Sequence, residues 1–463
     1  MSASLGALVE GEPDDVVVSL GSVDTTRAEL VALVAGMTDA LRDGGLERCA
    51  VGVLGANAPA TIAAWFAVWS VSGAFVPLNP RVPDAERERA IESTGVAAVL
   101  DAERGELVKV PSARDAIDAD IAIIQFTSGT TGRPKAVPLR HDTVLELLDG
   151  VIGSLRPKRP GEPARMPNLV PVSLSLWAGI YQVLFAFRVG APVVLMEHFS
   201  TSEFARLVHR HGIRSSVLPP AAMVMLLQDP GVTSLEPLRY VRSVSAPLSP
   251  THAREFHDRF GVGILNGYGQ TELGGEVVGW SAADWKQFGP AKLGAVGRPH
   301  AGIEVRVHDG ELLVRSSSAP PVDAAALGDR VTRDGWLRTG DLARIDEDGF
   351  VWIDGRVSSM INRGGLKVFP DEVEEHLREF PGVRDVAVAA VADDRLGEVP
   401  WAYLVVAPGA RLDSEELRAW CRERMAHYKV PVGVTIVSAL PRNEIGKLMR
   451  QDLDPNSPSL TDI

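Results

Sequence analysis

The chain of 463 residues is poor in several things, and each scarcity narrows what it can be. It has two cysteines, Cys49 and Cys421, far apart and without CxxC or Cys/His spacing. That argues against a structural zinc site and points to a reducing cytoplasm. No stretch reaches the roughly 18 uninterrupted apolar residues of a membrane-spanning helix. The first residues, MSASLGALVEGEPDD, lack the basic and then apolar pattern of a secretory signal. No basic run stands out against a net charge of −13, which argues against nucleic acid or an anionic membrane as the main partner. A GxxxxGK[ST] phosphate loop is missing. Apolar residues make up 45 % and charged residues 23 %, a globular balance over a length that calls for two or three domains.

The pattern alternates from the start. A strand at 16–20 precedes a helical period at 25–41, in which Leu30, Leu33, Val34, Met37 and Leu41 share a face. Strand-like runs at 49–54, 74–78 and 97–100 are separated by helical stretches at 60–71 and 85–95. Further strand and helix signals follow at 177–189 (helix), 191–196, 202–211 (helix) and 215–218. Such alternation predicts an α/β layered domain with a largely parallel sheet, and leaves open whether one sheet or two is built. Strands at 240–244 and 263–265 are each followed by a small polar loop, and 302–316 alternates like antiparallel hairpins, a small barrel-like subdomain. Beyond Arg356 a shorter α+β pattern begins. The expected division is 1–356 as a large domain and 357–463 as a smaller C-terminal lid.

The stretch 121–135, IAIIQFTSGTTGRPK, concentrates the chemistry. A short apolar strand runs into Thr127, Ser128, Gly129, Thr130, Thr131, Gly132 and, at the end, Lys135. Glycines let backbone N–H groups turn inward, hydroxyls donate, and the lysine adds a point charge, so the loop suits a polyanion. Taken alone it reads equally well as an ordinary surface loop. Loops at strand C-termini converge on one crevice in an α/β sheet, and the later loops supply Tyr268, Glu272, Asp341, Arg356 and Lys447 in turn. An aromatic to face a base, a carboxylate for ribose, one for Mg2+ and two cations make a set suited to a nucleoside triphosphate. Alone, Asp341 is a turn residue beside glycine, Glu272 a helix-start charge and Lys447 a solvated lysine. His209 and His211 read as exposed rather than as ligands, and His141, His198 and His300 have no partner that sequence identifies.

Four segments in this order resemble motifs of the adenylate-forming (ANL) superfamily of acyl-CoA synthetases and related ligases, over essentially the whole chain. FTSGTTGRPKAV at 126–137 is similar to its phosphate loop and NGYGQTE at 266–272 to its YGxTE motif. The run 338–356 is similar to its TGD…GR segment and LPRNEIGKLMR at 440–450 to its C-terminal lysine motif. The resemblance implies ATP, Mg2+ and CoA, a carboxylic-acid substrate, and two half-reactions: acyl-adenylate formation with release of pyrophosphate, then thioester formation with release of AMP. It implies that 127–132 hold the β- and γ-phosphates, with Lys135 at the loop's end. Thr271 would contact the α-phosphate and Glu272 would bind the metal. Tyr268, Gly267 and Ser245, Ala246 and Pro247 would border the adenine, and Asp341 the ribose, with Arg356 beside it. Lys447 would bridge the carboxylate and α-phosphate, and Gly364–Gly365 would meet the pantetheine arm after the lid rotates. Trp177, Asn266, Gly269 and Leu273 are the expected pocket lining for the acid.

The chain departs from the family mildly at Ala136, where the phosphate loop usually ends Lys-Gly-Val, in its shorter length before that loop, and more strongly at three places. The stretch 171–177, PVSLSLW, lacks the histidine of the usual Pro-Leu-Phe-His-like segment, which points to an unusual acid. Ser358 stands where the hinge usually has Asp or Lys, and the glycine loop reads RGGLK instead of Gly-Gly-Glu-Asn. The expected enzyme is an acid–CoA ligase. Its rivals are an adenylating enzyme with another acceptor (a carrier-protein thiol, an amine or nitrite) and a silent nucleotide-binding protein. Oligomeric state has no signature in the sequence.

Overall fold

The computed structural model describes residues 4–110, 116–127, 135–152, 166–244, 246–270, 273, 275–316, 330–410, 412–442 and 448–455, with only the backbone of Glu86, Thr127 and Lys135. A six-stranded sheet has the spatial order Glu106–Lys109, Ala98–Asp101, Ala50–Leu54, Ala74–Leu78, Ile121–Thr127, Lys135–Arg140. Its four inner strands are parallel and its two outer strands antiparallel. The central strands AVGVL and AFVPL carry no polar side chain, as strands covered on both faces require. A second sheet has the order Val23–Thr26, Val16–Leu20, Val193–Leu195, Asn168–Val170. A third runs Ser215–Leu218, Tyr240–Ser243, Gly263–Gln270, Gly275–Gly279, Arg298–Pro299, parallel in its first three strands and antiparallel thereafter. The alternation before residue 300 therefore builds three sheets.

Helix Pro59–Ser70 is the filling between layers. Proline occupies its first turn, where the missing N–H costs nothing, and every residue from Thr61 to Trp69 is buried. A helix apolar on all sides has no face to give to water. It touches strands of both the first and second sheets, and Trp65 stacks on Phe75 with ring centres 5.2 Å apart. Helix Arg27–Asp43 packs against it and starts on a capping box between Thr26 and Glu29.

The antiparallel subdomain expected after the βα units is a sheet of Ile303–His308, Glu311–Ser316, Leu337–Ile345 and Val351–Arg356 in sequence order. The last sheet pairs Leu366–Val368, Ile361–Arg363, Gly397–Val406 and Val383–Asp393, with Gly433–Ile436 parallel to Gly397–Val406. Its hydrophobic cluster, which includes residues of helices Pro370–Arg378 and Ser414–Arg424, draws only on residues 361–434. This smaller α+β unit meets the larger part where Thr251 donates from its N–H and Oγ1 to Glu375 Oε1, at 3.0 and 2.8 Å. No helix of the described residues is long and apolar enough to cross a membrane.

Two segments matter for the site, and the first differs from the sequence pattern. The strand expected to end at Leu265 continues through the glycine-rich NGYGQ to Gln270. Glycine is what allows this: a Cβ on Gly269 would lie 1.8 Å from the Gly275 carbonyl oxygen of the neighbouring strand. The TGD segment lies inside the nine-residue strand Leu337–Ile345, one arm of an antiparallel hairpin with Val351–Arg356. Gly340 there has φ +75°, a conformation that only glycine adopts without strain.

Candidate active site

Asp341 is a buried carboxylate held by three side-chain donors. It lies opposite Arg356 in the ladder between Leu337–Ile345 and Val351–Arg356, and is 3 % exposed. Arg356 Nε donates to its Oδ1 at 2.7 Å. Tyr268 Oη and Gln270 Nε2 donate to its Oδ2 at 2.6 and 2.7 Å. Tyr268 and Gln270 are two residues apart on one strand, so both side chains reach the same face. The backbone beneath is fixed as well. Thr339 Oγ1 donates to the Leu312 carbonyl and accepts the Asp341 N–H, while the Gly340 N–H donates to Glu311 Oε1. Arg330 Nη2 in turn holds Gln270 Oε1 at 3.0 Å. Burial, then the adjacent Asp341 charge, pushes the Tyr268 hydroxyl far above its ordinary pKa, so it stays a neutral donor. A carboxylate offers about four lone-pair directions. Among the described residues three are taken, and one at Oδ1 is left for an incoming hydroxyl.

The other face of the same hairpin carries a second charged group. Glu276 lies opposite Gly269, and its carboxylate spreads over the cross-strand pair Gly267 and Gly279. A Cβ on Gly267 would fall 2.4 Å from Glu276 Oε2, and one on Gly279 would fall 2.1 Å from Oε1. Arg242 Nη1 and His300 Nε2 both bond Glu276 Oε1, the latter at 2.9 Å. Arg242 Nη2 also reaches the Trp280 carbonyl at 3.3 Å. Burial raises the Glu276 pKa, but Arg242 and His300 outweigh it and hold the carboxyl below its ordinary value.

Both groups open into one cleft of about 2890 Å3. The expected pocket residues Trp177, Asn266, Gly269 and Leu273 line it, as do Ala246, Pro247, Gly267, Tyr268, Asp341 and Arg356. Asn266 is less available than expected. Its Oδ1 accepts the Gly267 N–H and its Nδ2 donates to the Ala295 carbonyl, so its amide braces the backbone. Leu273 is 8 % exposed within the main core. Trp177 opens helix Trp177–Val189 and packs edge-on to Tyr181, with centroids 5.9 Å apart. The atypical segment before it is tied down by Asn57, which accepts the Leu174 N–H and donates to the Val172 and Met196 carbonyls.

Ser128, Gly129, Thr130, Thr131, Gly132, Ser245, Thr271, Glu272 and Lys447 lie outside the described residues. Their flanks are described. Thr127 and Lys135 are cross-strand partners, so the phosphate-loop stretch joins two antiparallel strands. Arg442 and Leu448, on either side of 443–447, form an antiparallel bridge and line the cleft. Gly364 and Gly365 do not line it. They form the turn between Ile361–Arg363 and Leu366–Val368, with φ of +58° and +92°. Sequence reasoning missed Gln270, Arg242 and Glu276, and found no partner for His300, which here bonds Glu276.

The sequence matches two family models, "AMP-binding enzyme" over residues 7–317 and "AMP-binding enzyme C-terminal domain" over residues 372–447. It is 30 % identical to a feruloyl-CoA synthase of Amycolatopsis sp over 481 aligned positions, covering 95 % of this chain and 96 % of that one. It is 32 % identical to a sulfoacetate–CoA ligase of Cupriavidus necator over 401 positions, covering 82 % and 74 %. Its fold matches an amide bond synthetase from Marinactinospora thermotolerans with a TM-score of 0.81 at 27 % identity, over 96 % and 98 % of the two chains. The chain belongs to the AMP-binding enzyme family.

Proposed function

We propose that this protein is an AMP-forming acid–CoA ligase. A carboxylate oxygen attacks the α-phosphorus of ATP and pyrophosphate leaves. A thiol then attacks the acyl carbon, and AMP leaves. The observation that carries this reading is Asp341, a buried carboxylate fixed by Arg356, Tyr268 and Gln270 with one acceptor direction free among the described residues. Pre-set acceptors of this kind bind vicinal hydroxyls without reorganising. A cleft of about 2890 Å3 exceeds what one small ligand needs, roughly 300–1,000 Å3, and accommodates nucleotide, acid and acceptor together.

The remaining roles follow the chain. Thr127 and the loop 128–132, with Lys135, would take the β- and γ-phosphates. Ser245, Ala246, Pro247 and Gly267 would border the adenine against Tyr268. Thr271 would meet the α-phosphate, and Lys447 would offset the charge growing between carboxylate and α-phosphate. Glu272 comes two residues after Gln270 in sequence, and its hard oxygen donors fit Mg2+. When bound, that ion offsets the charge of the triphosphate. Residues 1–356 would hold the substrates, and 357–463 would rotate about Arg356 and Ser358. Gly364–Gly365, outside the cleft as it stands, would reach the thiol only after such a movement.

The test is a panel of carboxylic acids assayed for pyrophosphate release, with and without CoA. Acid-dependent release together with CoA thioester formation is expected. Release with no thioester, but with product from an added amine or a carrier-protein thiol, would replace CoA as the acceptor.

A further inference from the structure

Glu276 is an ionised group that lines the cleft, and the nucleotide reading gives it no task. Arg242, Glu276 and His300 come from three separate strand regions and meet on the face of the hairpin opposite Tyr268 and Asp341. Glycine at 267 and 279 leaves the space that the carboxylate fills. The cluster is not sealed in the core. The Arg242 and His300 side chains keep 31 % and 36 % of their surface, Glu276 keeps 17 %, and all three line the cleft. An aromatic wall of Trp177 and Tyr181 lines the same space. Tyr181 lies close enough for the charges of Glu276 and Arg242 to act on its hydroxyl. Gly267 precedes the strand end at Gln270 by three residues, about 10 Å at ~3.3 Å per residue. Beyond Gln270 in sequence come Thr271 and Glu272, proposed above for the α-phosphate and the metal.

Resting on the adenylation reading above, we propose that the acid carries a neutral hydrogen-bonding group, a hydroxyl or carbonyl, at its far end, received by Arg242, Glu276 and His300. The chemistry of the cluster selects this class. A second carboxylate would meet the ionised Glu276, and an ammonium would meet Arg242. An alkyl end would strip water from an ion pair and return no hydrogen bond, which is costly. A neutral hydroxyl can donate to the carboxylate and accept from the guanidinium, leaving the internal charge balance intact.

The test uses the full chain and matched acids of equal size that end in hydroxyl or methyl on the same aryl or short alkyl frame. Pyrophosphate release gives kcat/KM for each. The hydroxyl member is expected to win by roughly tenfold or more, since a site built for a hydroxyl rejects the analogue without it. In the double variant Arg242→Met/Glu276→Leu that ratio should collapse or invert. If the double variant does not fold, His300→Leu, at the most exposed member of the cluster, should still shrink the ratio. A wild type that prefers the methyl member, or a ratio unchanged by these substitutions, overturns the proposal. If no acid releases pyrophosphate, adenylation itself is wrong. The acid preference is then read from the rise in Tm with each matched pair, where equal shifts overturn it and a larger shift with the hydroxyl member supports it.

Discussion

Replacing Asp341 by asparagine tests the proposed nucleotide site most directly. Three donors converge on this carboxylate, one on Oδ1 and two on Oδ2. Asparagine has one acceptor oxygen and one donor nitrogen. Whichever way its amide lies, the NH2 faces a donor, Arg356 in one orientation and Tyr268 with Gln270 in the other. Stranding a fully buried charge costs about 3–5 kcal/mol. Arg356 keeps 43 % of its side chain in solvent, so it re-hydrates and that figure is too large. Loss of one charge-assisted hydrogen bond, about 1.5–3 kcal/mol, is the better scale, and solvent screening brings it to about 2 kcal/mol. If the ribose hydroxyls also bind here, the ligand loses a comparable amount, about 30-fold in affinity at 1.4 kcal/mol per decade. Titration calorimetry with AMP measures the affinity, and a melting curve of the free protein separates it from general damage. Binding of AMP to the asparagine variant within about twofold of wild type, at an unchanged Tm, would refute the assignment of Asp341.

Three further outcomes are expected. Gly269→Ala places a Cβ 1.8 Å from the Gly275 carbonyl oxygen, so the hairpin must open; soluble yield and Tm should fall sharply, and a native melting curve would count against the register described. Lys447→Ala should nearly abolish acid-dependent pyrophosphate release while leaving ATP binding measurable, and release at the wild-type rate would remove Lys447 from the mechanism. His252, on helix Pro250–Phe260 beside Arg378, Asp385, Glu375 and Arg442, has its pKa lowered by burial from 6.5 to about 4. Below 6.5 the unfolded chain therefore binds the proton more readily than the folded one, so the His252 contribution is intact above pH 6.5 and is lost as pH falls toward about 4. His252→Gln should flatten the decline in Tm between pH 7 and 5, and an equally steep decline in that variant would contradict it.

Much of the layered fold was legible. The helix Trp177–Val189 matched its apolar pattern to the residue, because a Gly at its C-terminal end and a strand beyond it bound it clearly. The site was legible only where chemistry sits next to itself in sequence. Tyr268 and Asp341 stood out through their neighbours, but NGYGQ looked like a loop, since glycine is a poor strand former in isolation. Its glycines serve close approach of two backbones, a tertiary demand invisible along one strand. Arg242, Glu276 and His300 are 34 and 24 residues apart, so no spacing connects them until the third sheet forms. Tyr268 and Gln270 likewise meet Asp341 only across two sheets.

The two faces of the hairpin Gly263–Gln270/Gly275–Gly279 make the enzyme modular at the scale of single residues. On the proposed reading, Glu276 and its two facing glycines would set the depth and polarity of the acid end of the cleft, while Tyr268 and Gln270 would serve its nucleotide end. If that proposal holds, a lineage or an engineer could exchange Glu276 together with Arg242 and retune which acid fits, with the Asp341 cluster left as it was.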